Sequence, residues 1–305
     1  MQPDLFDDVV EYPNSDAKGR FERLVGLDDT KERLLKEAAL LLDRGLLDDW
    51  SERHYKRRID LVERFRERSP LFIFAGDVGT GKTELAKSFG DGVARAHKLD
   101  VQLYSLSLSA RGTGAVGEMT RLISSAFAFV KERAERGVSA SGQAIILLID
   151  EADALVQSRE SGQMHHEDRA GVNAVIRGVD DVGANELPVV VVMCTNRLSA
   201  LDPAVRRRAA SVLRFTRPND EQRLALLTER LRDTGFSEPE IQSIAAATGA
   251  TNGRSDPFTY SDLTDRFLPQ ILLDAYPDGP LTAAAALKAA KNIEPTPRFA
   301  EHGQG

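Results

Sequence analysis

The sequence predicts an α/β fold, a parallel sheet built around a phosphate-binding loop, followed by a small all-helical domain. Three observations carry this. Short, nearly continuous apolar runs alternate with helical patterns between residues 71 and 215, as in parallel strands covered on both faces. The first of those runs passes directly into a glycine-rich loop that opens a helix. After about residue 218 the apolar runs stop, and only helical patterns separated by Gly and Pro remain.

Taken in order, residues 1–20 read as a polar, flexible N-terminal arm. "DDTKERLLKEAALLLDRG", from Asp28, has helical spacing with early acids and Gly45 at its end. "DDWSERHYKRRIDLVERFRERSP" reads as one heavily charged helix whose basic run is a solvated face, because acids interleave it. The strands are "LFIFAG", "VQLYSL", "AIILLID", "VVVVMCTN" and a weaker "SVLRF". Helices are expected between them near residues 82–97, 118–136 and 167–179. The large α/β domain is placed at 21–216, a helical lid at 217–295 and a mobile tail at 296–305.

Composition narrows the class. The chain has 305 residues, 42% hydrophobic and 29% charged, which is ordinary for a globular protein. A net charge of −7 argues against a protein that coats nucleic acid. Cys194 is the only cysteine, so no intramolecular disulfide forms and a reducing compartment fits. The acidic N-terminus lacks the apolar stretch of a signal sequence, and no apolar run is long enough to span a bilayer. The expected location is cytoplasmic, with no membrane partner. Cys194 reads as a small buried hydrophobe, and the alanine-rich "LTAAAALKAAKNI" as a packed helix. His165 and His166 read as part of a solvated polar loop, since no third ligand stands at metal spacing.

"GDVGTGKT", residues 76–83, is G-x-x-x-x-G-K-T between a strand and a helix. Gly76, Gly79 and Gly81 let the backbone turn its N–H groups inward, and the helix start adds partial positive charge. Lys82 is expected at the β- and γ-phosphates of ATP and Thr83 on Mg2+, with Val78, Thr80 and Glu84 completing the binding segment. "AIILLIDEAD" places Asp150 and Glu151 at the carboxyl edge of the sheet, where ligands bind. Asp150 suits the metal, and Glu151 suits polarising an attacking water. Asn196, ending "VVVVMCTN", has an amide able to position the same water; taken alone it reads better as a turn cap.

In this order the residues resemble the AAA+ ATPases. "FERLVGLDDTKERL" resembles the family's opening, which puts Val25 and Gly26 near adenine; "GDVGTGKT" matches Walker A, "IILLIDEAD" Walker B, and Asn196 sensor 1. "TNRLSALDPAVRRRAA" is similar to the second region of homology. The resemblance covers about residues 21–270. It implies a large α/β domain and a helical lid with ATP between them, usually in a hexameric ring. "DRAGVNAVIRGVDDV" is similar to the pachytene-checkpoint branch in Arg169, Val172, Asn173, Ala174 and Val175, as are "PAVRRRAASVLRF" and "SDLTDRFLP". That branch implies ATP-driven partial unfolding of HORMA-domain proteins, and in bacterial relatives a nucleotidyltransferase and antiphage defence. It puts the arginine that reaches a neighbour's ATP at Arg208, with Arg207 second and Arg206 bracing the helix.

Three departures accompany the resemblance. Twenty residues leave no room for an N-terminal receiving domain, so recruitment is expected to differ. The pore loop has Ala115 and Val116 where the family has an aromatic and an aliphatic residue. The lid has Asp262-Leu263 in place of Gly-Arg, which leaves Arg266 as the lid arginine and Arg254 as second choice. Rival readings are a Rubisco-activase-like remodeller, a nucleic-acid loader or clamp-type switch, and a scaffold that binds ATP without turnover. The net charge and the missing DNA-binding domain count against the loader; Glu151, Asn196 and the arginines count against the scaffold.

Overall fold

The computed structural model describes residues 5–108, 117–140, 143–155, 165–251 and 254–298. Ala115 and Val116 of the pore-loop reading, and residues 299–305 of the tail, lie outside them.

A six-stranded sheet has the order β1-β3-β4-β5-β2-β6. Its strands are β1 (Asp8–Tyr12), β2 (Leu71–Gly76), β3 (Val101–Ser107), β4 (Ala144–Asp150), β5 (Val189–Thr195) and β6 (Ala209–Phe215). The run β3-β4-β5-β2 is parallel, and its side chains are almost wholly buried, as the apolar sequences of β2, β4 and β5 require; β3 buries Gln102 and Ser105 as well. β1 pairs antiparallel with β3, from Asp8 opposite Ser105 to Tyr12 opposite Val101.

That strand corrects the reading of residues 1–20 as a flexible arm. Val9 and Glu11 face solvent while Tyr12 is buried and donates its hydroxyl to the Lys87 carbonyl at 2.6 Å. Asn14 then donates its backbone N–H to the buried Asp91 at 2.6 Å, and Ser15–Arg23 is helical.

The charged segment after residue 45 is two helices, Gly45–Tyr55 and Asp60–Arg66, where one was expected. Lys56 turns left-handed at φ 56°, and the buried Ser51 staples the turn by donating to Arg57 O at 2.8 Å and accepting from Ile59 N–H at 3.1 Å. The expected helix over 82–97 is likewise two, Lys82–Ala86 and Phe89–His97. Helices Glu118–Ala140 and His165–Ala184 fall where periodicity puts them, both longer than expected. His165 and His166 therefore stand in a helix's first turn, not in a loop.

The chain divides into two compact units. The first comprises residues 1–23, 28–75 and 83–214; the second comprises 24–27, 76–82 and 215–305. The phosphate-loop residues and Val25–Gly26 thus cluster with the C-terminal helices, a division no single cut near residue 216 reproduces. In the first unit, the sheet packs on helices through Ile73, Leu147, Val191, Phe127 and Val175. In the second, Leu227, Ile244, Phe258, Phe267, Ile271 and Ala290 form a core, with the Phe258 and Phe267 rings 6.3 Å apart and steeply inclined. The alanine-rich helix Ala283–Asn292 buries Ala286, Ala289 and Ala290 there.

Within the helical pattern after residue 218, Asp262–Phe267 is a wide π turn that runs into an α-helix, Leu268–Ala275. Asp262 is fully buried. It accepts from Thr259 N–H (2.9 Å), Arg266 (2.8 Å), Thr296 N–H (3.0 Å) and Thr296 Oγ1 (2.7 Å). Residues 296–298 are thereby held, which corrects their reading as a mobile tail; Arg298 also pairs with Asp256 at 2.5 Å.

Candidate nucleotide site

The phosphate loop begins where β2 ends. At Gly76 a side chain would meet the Phe215 carbonyl oxygen at 2.0 Å, so backbone alone fits. Gly79 and Gly81 hold φ of 72° and 93°, in the left-handed region that glycine adopts without strain. Lys82 is buried and donates its ammonium to the carbonyls of Gly76 (2.9 Å) and Asp77 (2.8 Å); Thr80 Oγ1 donates to Asp77 O at 2.7 Å. Thr83 and Glu84 follow in the first turn of Lys82–Ala86, and Val78 is exposed at the loop tip.

Other residues of the second unit surround this loop. Arg217 donates Nε to Asp77 at 2.8 Å and Nη1 to Pro257 O at 2.9 Å, and its ion pair with Asp77 is almost dry. Ser261 N–H donates to Gly79 O at 3.1 Å. Gly26, at φ 74°, accepts from Gln222 Nε2 at 3.0 Å, which sets half-buried Val25 and Gly26 beside the helix Asp220–Arg230. Arg266 is exposed on the π turn and paired with Asp262. Burial alone would raise the Asp262 carboxyl, but hydrogen bonds from Thr259, Thr296 and Arg266 outweigh it and hold the group below its ordinary value. Arg254 is occupied otherwise: its guanidinium donates to Ala290 O (2.7 Å), Gly249 O (2.8 Å) and Ala247 O, over the Phe258 ring. It braces the helical core.

The acidic edge lies in the first unit. Ser107 at the end of β3 is in register with Asp150 at the end of β4. Asp150 Oδ1 accepts from Glu151 N–H at 2.9 Å. Glu151 sits at φ 53°, a left-handed conformation costing about 1–2 kcal/mol for a non-glycine residue, and its Oε2 accepts from Ser107 Oγ at 2.7 Å. The next turn, Ala152–Leu155, carries the buried Asp153, which binds the backbone on either side of Asn196.

The arginine cluster occupies the helix Pro203–Arg208, begun by Asp202 capping Ala204 N–H at 2.7 Å. Arg208 donates Nε to Asp180 Oδ1 at 2.7 Å and Nη1 to Ala204 O at 3.3 Å. The hydrogen bond from Arg208 to Asp180 raises the guanidinium above its ordinary value. Arg207 is exposed, and Arg206 is half-buried. Sequence reasoning missed Ser107, Asp153, Asp180 and Arg217. Of these, only Asp153 carries a sequence signal, as the last acid of "DEAD".

A glycine-rich loop with a buried lysine after β2, and two acids at the end of β4, are the two signatures of a P-loop nucleotide-binding protein. Residues 72–217 match the profile of the ATPase family associated with various cellular activities (AAA). CD-NTase-associated protein 6 of Escherichia coli strain MS 115-1 is 47% identical over 299 residues, 97% of this chain and 96% of that protein. A chain of the solved E. coli MS115-1 HORMA:CdnC:Trip13 complex superposes at TM-score 0.89 with 46% identity, over 98% of this chain and 100% of that one. The structure of Rhizobiales Trip13 follows at TM-score 0.74 and 43% identity, over 96% and 99%. The chain belongs to the AAA ATPases, in the CD-NTase-associated protein 6 family. Among the described residues, no helix is long and apolar enough to cross a membrane.

Proposed function

We propose that this protein hydrolyses ATP, as a homo-hexameric ring in the cytoplasm, to partly unfold or disassemble HORMA-domain complexes, and thereby regulates a nucleotidyltransferase in a bacterial second-messenger antiphage system. The observation that carries the reading is full-length similarity, at 46% identity, to a chain of the HORMA:CdnC:Trip13 complex. The site supports the chemistry. A Cβ at Gly76 or Gly79 would collide with Phe215 O or Thr259 Oγ1, so only glycine keeps the loop's tight turn, and hard oxygen donors at Thr83 and Asp150 suit Mg2+. Lys82 and the loop N–H groups hold the phosphates, Val25 and Gly26 border the base, and Arg266 is the lid's cation. Magnesium, when bound, neutralises phosphate charge. Glu151 orients and polarises water, Asn196 holds that water, and Arg208 stabilises the charge of a neighbouring subunit's transferring phosphoryl group.

The test is reconstitution with a HORMA-domain protein and a nucleotidyltransferase of the kind found in the E. coli MS115-1 HORMA:CdnC:Trip13 complex. ATP is expected to dissociate their complex, as read by size-exclusion chromatography, and ADP is not. Dissociation that is equal with ADP, or absent while ATP is consumed, overturns the assignment of client.

A further inference from the structure

Asp153 is a carboxylate only 6% exposed, two residues past Glu151. Its Oδ1 accepts from Thr195 Oγ1, from Asn196 N–H at 3.1 Å and from Arg197 N–H at 3.2 Å; its Oδ2 also accepts from Asn196 N–H, at 3.0 Å. Thr195 Oγ1 in turn accepts from Arg197 N–H at 3.1 Å. The sheet offers these groups nothing. The β4–β5 ladder ends at Ile149 opposite Met193, and the β2–β5 ladder at Ala75 opposite Thr195. Asn196 is the first residue beyond both.

On the other side, Ala154 N–H donates to Glu151 O at 3.0 Å, closing the short turn that carries Asp153. One carboxylate therefore ties the backbone of Asn196 to the turn opened by Glu151. A charged acceptor buried against several donors gives a stiff, short-range link, because neutral alternatives leave N–H groups unpaired.

We infer that Asp153 is a positioning residue for hydrolysis: it fixes Asn196 in register with Glu151 so that both act on one water. This rests on the proposed roles of Glu151 and Asn196. It differs from a simple fold staple, whose loss lowers stability and leaves the chemistry of the folded fraction unchanged.

The experiment is a double-mutant cycle on the full chain, reading steady-state kcat and KM for ATP, with nucleotide affinity and melting temperature beside them. Asp153→Asn keeps the volume but sets an NH2 against backbone donors. It is expected to lower kcat at least tenfold, with KM and nucleotide affinity within about twofold. In an Asn196→Ala background, the same change is expected to lower kcat no further. Thr195→Val, which removes the hydroxyl link at constant shape, is expected to give a smaller loss of the same kind, and it takes the place of Asp153→Asn in the cycle if that chain does not fold.

Wild-type kcat in the folded variant, or an equal loss in both backgrounds, overturns the inference. Wild-type kcat in Asn196→Ala alone instead overturns the underlying role of Asn196, so the two failures are distinct.

Discussion

Ser107 and Glu151, 44 residues apart, are joined by a 2.7 Å hydrogen bond in which the serine hydroxyl donates to the carboxylate proposed to polarise water. The bond holds that carboxylate at the end of β3 and occupies one of its lone pairs. Removing the hydroxyl releases that lone pair toward a water. Ser107→Ala is expected to raise basal ATP hydrolysis a few-fold and to shrink the stimulation by client. A fall to the level of Glu151→Gln shows instead that the serine is what aims the glutamate.

Glu151→Gln keeps the size of the side chain and removes the charge that orients water. Lys82 and its loop are untouched, so nucleotide still binds. Hydrolysis is expected to fall at least a hundredfold, with ATP affinity within about threefold. Under the proposed function the variant is also expected to retain a HORMA-domain protein in ATP, which a pull-down reads. Hydrolysis at the wild-type rate removes Glu151 from the mechanism.

Part of the fold and of the site is legible in the sequence, and part is not. "LFIFAG" and "VVVVMCTN" are unbroken apolar strands, and the glycines between Gly76 and Gly81 declare their purpose by spacing alone. β1 escaped because "DVVEY" is short and broken by two acids, and its partner β3 begins about ninety residues on; only pairing makes it a strand. The break at Lys56 escaped because helical charge patterning runs through it, while the staple is a single buried serine. Ser107, Asp153 and Asp180 matter through partners 44, 42 and 28 residues away, and no local pattern encodes such pairings.

Arg217 and Asp77 form an ion pair with side chains 6% and 15% exposed. Removing one partner leaves the other charge buried, which costs about 3 kcal/mol or more. Arg217→Ala is expected to lower the melting temperature by several degrees and to weaken nucleotide binding, because Asp77 belongs to the phosphate loop. Asp77→Asn in that background restores part of the lost stability. An unchanged melting temperature in the single variant shows the pair to be energetically idle.

Asp262 gives a pH prediction with a definite sign. Its carboxyl is lowered in the folded chain, so it binds protons less readily there than when unfolded. The stability it contributes is fully present above the ordinary value of 3.8 and is lost as pH falls through the lower folded value. Asp262→Asn is expected to lower the melting temperature at pH 7. The gap to wild type narrows as pH falls below the ordinary carboxylate value. A constant gap from neutral pH to the acid limit assigns the role to packing and not to charge.

Arg208 is held by Asp180 within its own subunit, yet both side chains are partly solvated, 36% and 50% exposed. Such a pair is cheaply exchanged for a stronger anion. Among the described residues Nη2 of the guanidinium carries no bond, while Nε and Nη1 bond to Asp180 and Ala204. A guanidinium presented to transferring phosphoryl oxygens is worth roughly 10³–10⁵ in rate where such fingers act. Arg208→Ala is therefore expected to bind ATP normally and to hydrolyse it far more slowly, with Arg207→Ala giving a smaller loss. Mixing decides whether the arginine acts across subunits. In a ring of Arg208→Ala and excess Glu151→Gln chains, each Arg208→Ala subunit keeps its own Glu151 and receives Arg208 from its neighbour. Some hydrolysis is expected to return, rising with the fraction of such junctions. If mixed rings form, as seen by native mass, and remain as inactive as either parent, Arg208 works only on its own subunit or not at all.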